Sequence, residues 1–117
     1  MVIEYFFHNM SDKKDFFIKE RGSHLYNVLF LVKAGGFVCS IDGRTFTAGA
    51  GDAVLFKANE YFRRRVTSSL AYLQAGFFVK EGGEIFDGLA SGVLPLDKDY
   101  TGLLERDIRR DATCRQA

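Results

Sequence analysis

Few side chains in this sequence could do chemistry. There are two histidines, His8 and His24, two cysteines, Cys39 and Cys114, and one basic run, Arg63-Arg64-Arg65. Three or more nitrogen and oxygen ligands in an open geometry are hard to assemble from such a set, so no metal and no other cofactor is expected. The histidines read as surface or core-edge residues. Cys39 lies among apolar residues with no adjacent histidine to act as a base, which describes a small buried hydrophobe with an unactivated thiol. Two cysteines so far apart make neither a disulfide framework nor a zinc pattern. On a strand the three arginines alternate, so Arg63 and Arg65 share one face while Arg64 sides with Phe62 and Val66. Either the run belongs to a solvated edge strand whose charges discourage edge pairing, or Arg64 points inward and pairs an anionic or polyhydroxylated ligand. A nucleic-acid patch is the weakest reading, because 16 basic against 15 acidic residues leave a net charge of +1 and no aromatics interleave the run. No recognisable set of titratable groups converges, so catalysis is not expected.

The elements that must position these residues are short and apolar. A chain of 117 residues that is 47% hydrophobic and 26% charged makes one globular domain. Twelve Phe and twelve Gly suggest short strands and tight turns around an aromatic core. The segment from Met1 to Arg21 reads as one or two short strands around a turn, and Leu25 to Val32 as a strand covered on both faces or meeting a partner. Phe37–Ile41 and Arg44–Ala48 flank Asp42-Gly43, a two-residue hairpin turn. That loop sets Ile41 opposite Arg44, Cys39 opposite Phe46 and Phe37 opposite Ala48, with Phe37, Cys39, Ile41 and Phe46 toward the core. Gly49–Asp52 turns the chain into a strand over Ala53–Phe56. Lys57–Glu60 and Ser68-Ser69 read as turns bounding further strands over Tyr61–Thr67 and Ala71–Val79. Strands at this spacing indicate a sandwich or small barrel. Beyond Gly82-Gly83, Glu84–Leu89 suggests a helical turn. Tyr100, Leu103, Leu104 and Ile108 recur at helical spacing, with Asp97 or Asp99 as N-cap.

No run is long and apolar enough for a membrane helix, so no membrane partner is expected. The N-terminal residues lack the charged region and cleavage site of a signal peptide, pointing to a cytoplasmic protein with reduced thiols. The polar tail Arg109–Ala117 has no Gly or Pro stop and reads as cut.

Three stretches carry a family resemblance. Gly36-Phe-Val-Cys-Ser-Ile-Asp-Gly-Arg-Thr-Phe46 resembles a glycine, a strand and an Asp-Gly-Arg hairpin. Ala48-Gly-Ala-Gly-Asp-Ala-Val-Leu-Phe56 resembles a Pro-Gly-Asp turn and its following strand, and Ala71-Tyr-Leu-Gln-Ala-Gly-Phe-Phe78 an aromatic-rich strand. In this order, from Leu25 to Val79, they resemble a cupin barrel, and among cupins the N-terminal effector domain of AraC-type bacterial transcription regulators. The resemblance implies a mainly β fold: a double-stranded β-helix (jelly-roll barrel) over about residues 1–80, with a helical segment over about 84–117. It also implies a small-molecule effector inside the barrel, homodimerisation, and DNA contact only through a C-terminal domain absent from this chain.

The same resemblance nominates site residues. Asp15–Arg21 is similar to the segment that brings an arginine to the pocket mouth, making Arg21 a candidate contact and Glu20 the alternative if the register slips by one. Arg64 is the candidate charged contact inside a pocket lined mainly by Phe and Leu. Phe62 stands where the family often has a histidine, and Cys39-Ser-Ile41 where metal-dependent cupins have His-x-His. Leu73, with Ala75 and Phe77, lies on the face that contacts ligand in sugar-sensing members but offers no polar group, so the effector is expected to differ from that sugar. A small stand-alone cupin enzyme is the alternative.

Overall fold

The computed structural model describes residues 2–111 and 115–116. Cys114 and part of the expected polar tail lie outside the described residues. The chain is mainly antiparallel β with a C-terminal helix. Its strands are β1 (Val2–Lys14), β2 (Arg21–Gly22), β3 (Asn27–Ile41), β4 (Arg44–Gly49), β5 (Ala53–Phe56), β6 (Phe62–Glu81), β7 (Gly92–Val93) and β8 (Arg115–Gln116). The helices are α1 (Gly83–Asp87) and α2 (Lys98–Arg110).

The framework is the pair β3 and β6, hydrogen bonded from Asn27↔Phe77 to Ile41↔Phe62. At the hairpin end β4 flanks β3 and β2 flanks β6. At the other end β5 flanks β3 and β1 flanks β6. The outer strands β7 and β8 end the path β7-β5-β3-β6-β1-β8, so the sheet does not close and the expected barrel is not formed by continuous hydrogen bonding. The pair instead folds over on itself. Phe30 and Phe37 would lie about 23 Å apart along a straight strand, yet their ring centroids are 5.5 Å apart.

Gly35 makes that fold possible. Its φ is +74°, and a Cβ there would lie 2.0 Å from the Ser69 carbonyl oxygen, so only glycine lets the two backbones approach. Register shifts in β3 between Val32 and Phe37 accompany the bend and change which residues face inward. Val28, Phe30 and Val32 face the inner core before it, and Phe37, Cys39 and Ile41 after it. Ser68-Ser69 is therefore part of a bend within the 20-residue β6 and not a turn between two strands. The first segment likewise differs from the expected short strands. It is one 13-residue strand, because β6 offers it a partner from Leu70 to Glu81.

The hairpin has the expected register, including Ile41↔Arg44, Cys39↔Phe46 and Phe37↔Ala48. Asp42 and Gly43 both have positive φ, at 52° and 75°, as a two-residue turn of matching twist requires. The expectation that Leu25–Val32 is covered on both faces or meets a partner holds in its first form for Val28–Val32, whose alternate residues enter different cores, while Leu25 precedes β3 and is exposed. Val28, Phe30 and Val32 join an aromatic inner core with Phe17, Phe37, Phe56 and Phe62. Leu29 and Leu31 join an outer core with Leu73, Ala75 and Phe77, capped by Phe86 of α1 and Ile108 of α2. The Asp97 side chain accepts from the Tyr100 amide at 2.8 Å and caps α2. Of the expected stripe only Ile108 is fully buried, while Tyr100 and Leu103 remain about half exposed.

Candidate functional site

Arg64 enters the inner core because β6 alternates. Phe62, Arg64 and Val66 turn inward while Arg63 and Arg65 remain outside. Its guanidinium carbon lies 4.3 Å from the centroid of Phe17, 4.4 Å from Phe62 and 5.1 Å from Phe56, a three-ring aromatic box. Nε donates to the Lys19 carbonyl at 3.0 Å, and the Arg64 amide donates to the Glu20 carbonyl. Arg64 is only 7% exposed. Among the described residues its Nη1 has no hydrogen-bond partner and no carboxylate pairs it. Burial pulls its pKa down to about 10.

Two titratable groups share this box. The His24 ring centroid lies 5.1 Å from Phe62 and 5.7 Å from Tyr26, and its Nε2 is also buried without a partner. Burial first, then the charges of Arg64 and Lys19, hold its pKa down at about 4, so it is neutral at pH 7. Cys39 sits directly across the ladder from Arg64. Burial pushes its thiol up to about 11 despite that cation, so it remains an inert thiol. Among the described residues the other two buried polar side chains are satisfied. The Ser91 hydroxyl accepts from the Lys57 amide and donates to Glu60, and the Thr101 hydroxyl donates to the Asp97 carbonyl. Unmet polar capacity is thus concentrated at Arg64 and His24. Buried groups of this kind cost free energy until an acceptor or donor reaches them.

On the other side of the same strands lies an open groove of about 430 Å³, bounded by Glu20, Arg21, Val38, Ser40, Thr45, Arg63 and Arg65. Cys39 and Arg64 form part of its floor, while their side chains turn to the inner core.

The nominated residues therefore fall in three places. Arg64 and Phe62 are in contact in the aromatic box. Arg21 pairs with Arg63 across β2 and β6 and belongs to the outer groove; Glu20 borders it and supplies a backbone acceptor to Arg64. Leu73 is fully buried in the outer core, on the opposite face of β6 from Arg64, and lines neither place. The groove that Arg64 borders is lined mainly by polar and charged residues, where Phe and Leu were the expected lining. The inner rings pack against one another, and an apolar cavity of about 210 Å³ lies between the outer face and the helices, bordered by Leu29, Leu55, Phe77 and Phe86. His24 and Phe17 were not singled out as part of a site. Their positions depend on the loop between β1 and β3 folding across β6, for which no local spacing gives a signal. Among the described residues no group of three or more His, Cys, Asp or Glu is placed to hold a metal ion, and no helix is long and apolar enough to cross a membrane.

No protein-family model matches the chain, and no curated protein matches it. Among solved structures it is similar to a cupin protein from Bacteroides fragilis, at 20% identity over 71% of this chain and 74% of that chain, with a TM-score of 0.46.

Proposed function

We propose that this chain is the ligand-sensing regulatory domain of an AraC-type transcription regulator, acting in the cytoplasm without catalysis. A small-molecule effector is bound at Arg64, and its presence is passed through homodimerisation to a DNA-binding domain outside this chain. The observation that carries the reading is the Arg64 guanidinium, buried among three rings with Nη1 unpartnered. Three rings within about 5 Å surround the guanidinium, and an oxygen acceptor reaching Nη1 would complete its hydrogen bonds. The neutral His24 adds a second polar atom to the same site. Phe17 and the Lys19 carbonyl come from the segment between β1 and β2, so an effector that draws on Arg64 also acts on that segment.

Thermal denaturation across a panel of small carboxylates, sugars and polyols tests the site. A true effector at a hundred times its Kd stabilises the fold by about 2.7 kcal/mol. That gain should appear for the native chain and vanish in Arg64→Met. A panel with no stabilising compound, or one whose effect survives Arg64→Met, overturns the site. The regulatory step is read by fusing the chain to a DNA-binding domain that needs dimerisation. Effector binding with no change in operator occupancy overturns the regulatory role and favours the cupin enzyme.

A further inference from the structure

The outer face of β6 carries Arg63 and Arg65, and Arg63 lies in the interior of a sheet. At Arg63 the strand is paired on both sides, with Ser40 of β3 and Arg21 of β2, so protection of a free edge does not explain the charge there. Arg21 and Arg63 are cross-strand partners and both are exposed, which sets two like charges side by side. Among the described residues neither they nor Arg65 has an ion-pair partner. The pairing continues across the hairpin, Arg63 to Ser40 to Thr45. One row over four adjacent strands thus reads guanidinium, guanidinium, hydroxyl, hydroxyl, spanning about 14 Å at ordinary strand spacing. Arg65, two residues along, faces the same groove from the next row. Among the described residues Glu20 is the one carboxylate bordering the groove. A neighbouring hollow bordered by Asp42 and Glu60 sets its acidic limit near the hairpin tip, where Glu60 accepts from Ser91.

We infer that this groove is a binding site for a small phosphorylated ligand, separate from the site proposed at Arg64. The warrant is the donor set. Guanidinium forks match phosphoryl oxygens in pairs, hydroxyls reach the remaining oxygens, and a volume of about 430 Å³ falls in the range of small-molecule sites. The ligand's charge relieves the repulsion between Arg21 and Arg63, so the same contacts bind it and stabilise the sheet. Arg64 also borders the groove but turns its guanidinium to the opposite face, so the two sites are probed through different side chains, Arg64 for one and Arg63 for the other.

Titration of the full chain with pyrophosphate, followed by calorimetry and by the amide resonances of Ser40 and Thr45, tests this. Binding should saturate at one pyrophosphate per chain. Arg63→Gln should weaken it at least tenfold, and Arg106→Gln on the exposed side of α2 should leave it unchanged. Without pyrophosphate, Arg63→Gln should melt no lower than the native chain, since it removes a like-charge neighbour. A non-saturating response, or equal weakening by Arg63→Gln and Arg106→Gln, overturns the site. Preferential binding of random-sequence duplex DNA over pyrophosphate at equal phosphate concentration also overturns it, because the arginines would then be a polyelectrolyte surface. The Arg64→Met ligand panel reports on the other site and is unaffected by any of these results.

Discussion

The outer face of β6 has two ends with opposite histories of burial. At one end Leu73, Ala75 and Phe77 lie under α1 and α2 and are at most 3% exposed. At the other, Arg63 and Arg65 are exposed, with no helix over them. The backbone is the same strand, paired to the same β3. The flanking strands differ, β1 and β5 at one end and β2 and β4 at the other, but residue type follows the helical cover: apolar side chains where water is excluded, unpaired cations where it is not. The inner face beneath shows a third case. There Arg64 is inside without a counter-charge, which packing alone would select against.

The comparison is broken most severely at the covered end. Leu73→Ala should cost about 2–5 kcal/mol, since a fully buried leucine leaves a cavity its neighbours only partly refill. Arg65→Ala at the bare end should stay within about 0.5 kcal/mol. Urea denaturation of both variants measures the contrast. Equal losses would show that the bare end is packed after all.

The inner face is sharpened by pH. The His24 pKa of about 4 lies below its ordinary 6.5, so between these values the unfolded chain takes up the proton first. The stabilising contribution is therefore fully present above pH 6.5 and is lost as pH falls toward 4, amounting to about 3 kcal/mol. Stability measured from pH 7 to 5 should fall in the native chain and fall less steeply in His24→Phe. Parallel slopes would place His24 in water. An acceptor bound at Arg64 reduces the positive field on His24, so the native slope should also flatten with effector present.

The smallest effect concerns the cover itself. Asp97→Ala removes the side-chain acceptor for the Tyr100 amide and should cost about 1 kcal/mol. Hydrogen exchange should localise the loss to α2 and the Leu73 end of β6, leaving the Arg63 end unchanged. Uniform loss along β6 would mean that the two ends do not respond separately to cover.

Much of the local structure was legible from residue order. Asp42-Gly43 tolerates the positive φ of a two-residue turn, and that turn sets the register of six residue pairs without help from the rest of the chain. Asp97 capping α2 and the apolar run of β5 are equally local. Alternation also grouped Arg64 with Phe62 and Val66, but that the shared face turned inward was left open by the sequence and decided by the fold. The joined β6 was not legible, because Ser68-Ser69 reads as a turn until Gly35, more than thirty residues earlier, is known to approach it. Nor was the separation of Leu73 from Arg64, since the parity of a strand shows which residues share a face but not which face a helix will cover. His24 and Phe17 reached Arg64 only through long-range folding of the segment before β3. Turns and caps are decided by hydrogen bonds a few residues apart, which sequence displays directly. Bends, covers and buried unpaired charges are decided by contacts between distant segments, and those exist only once the chain has folded over itself.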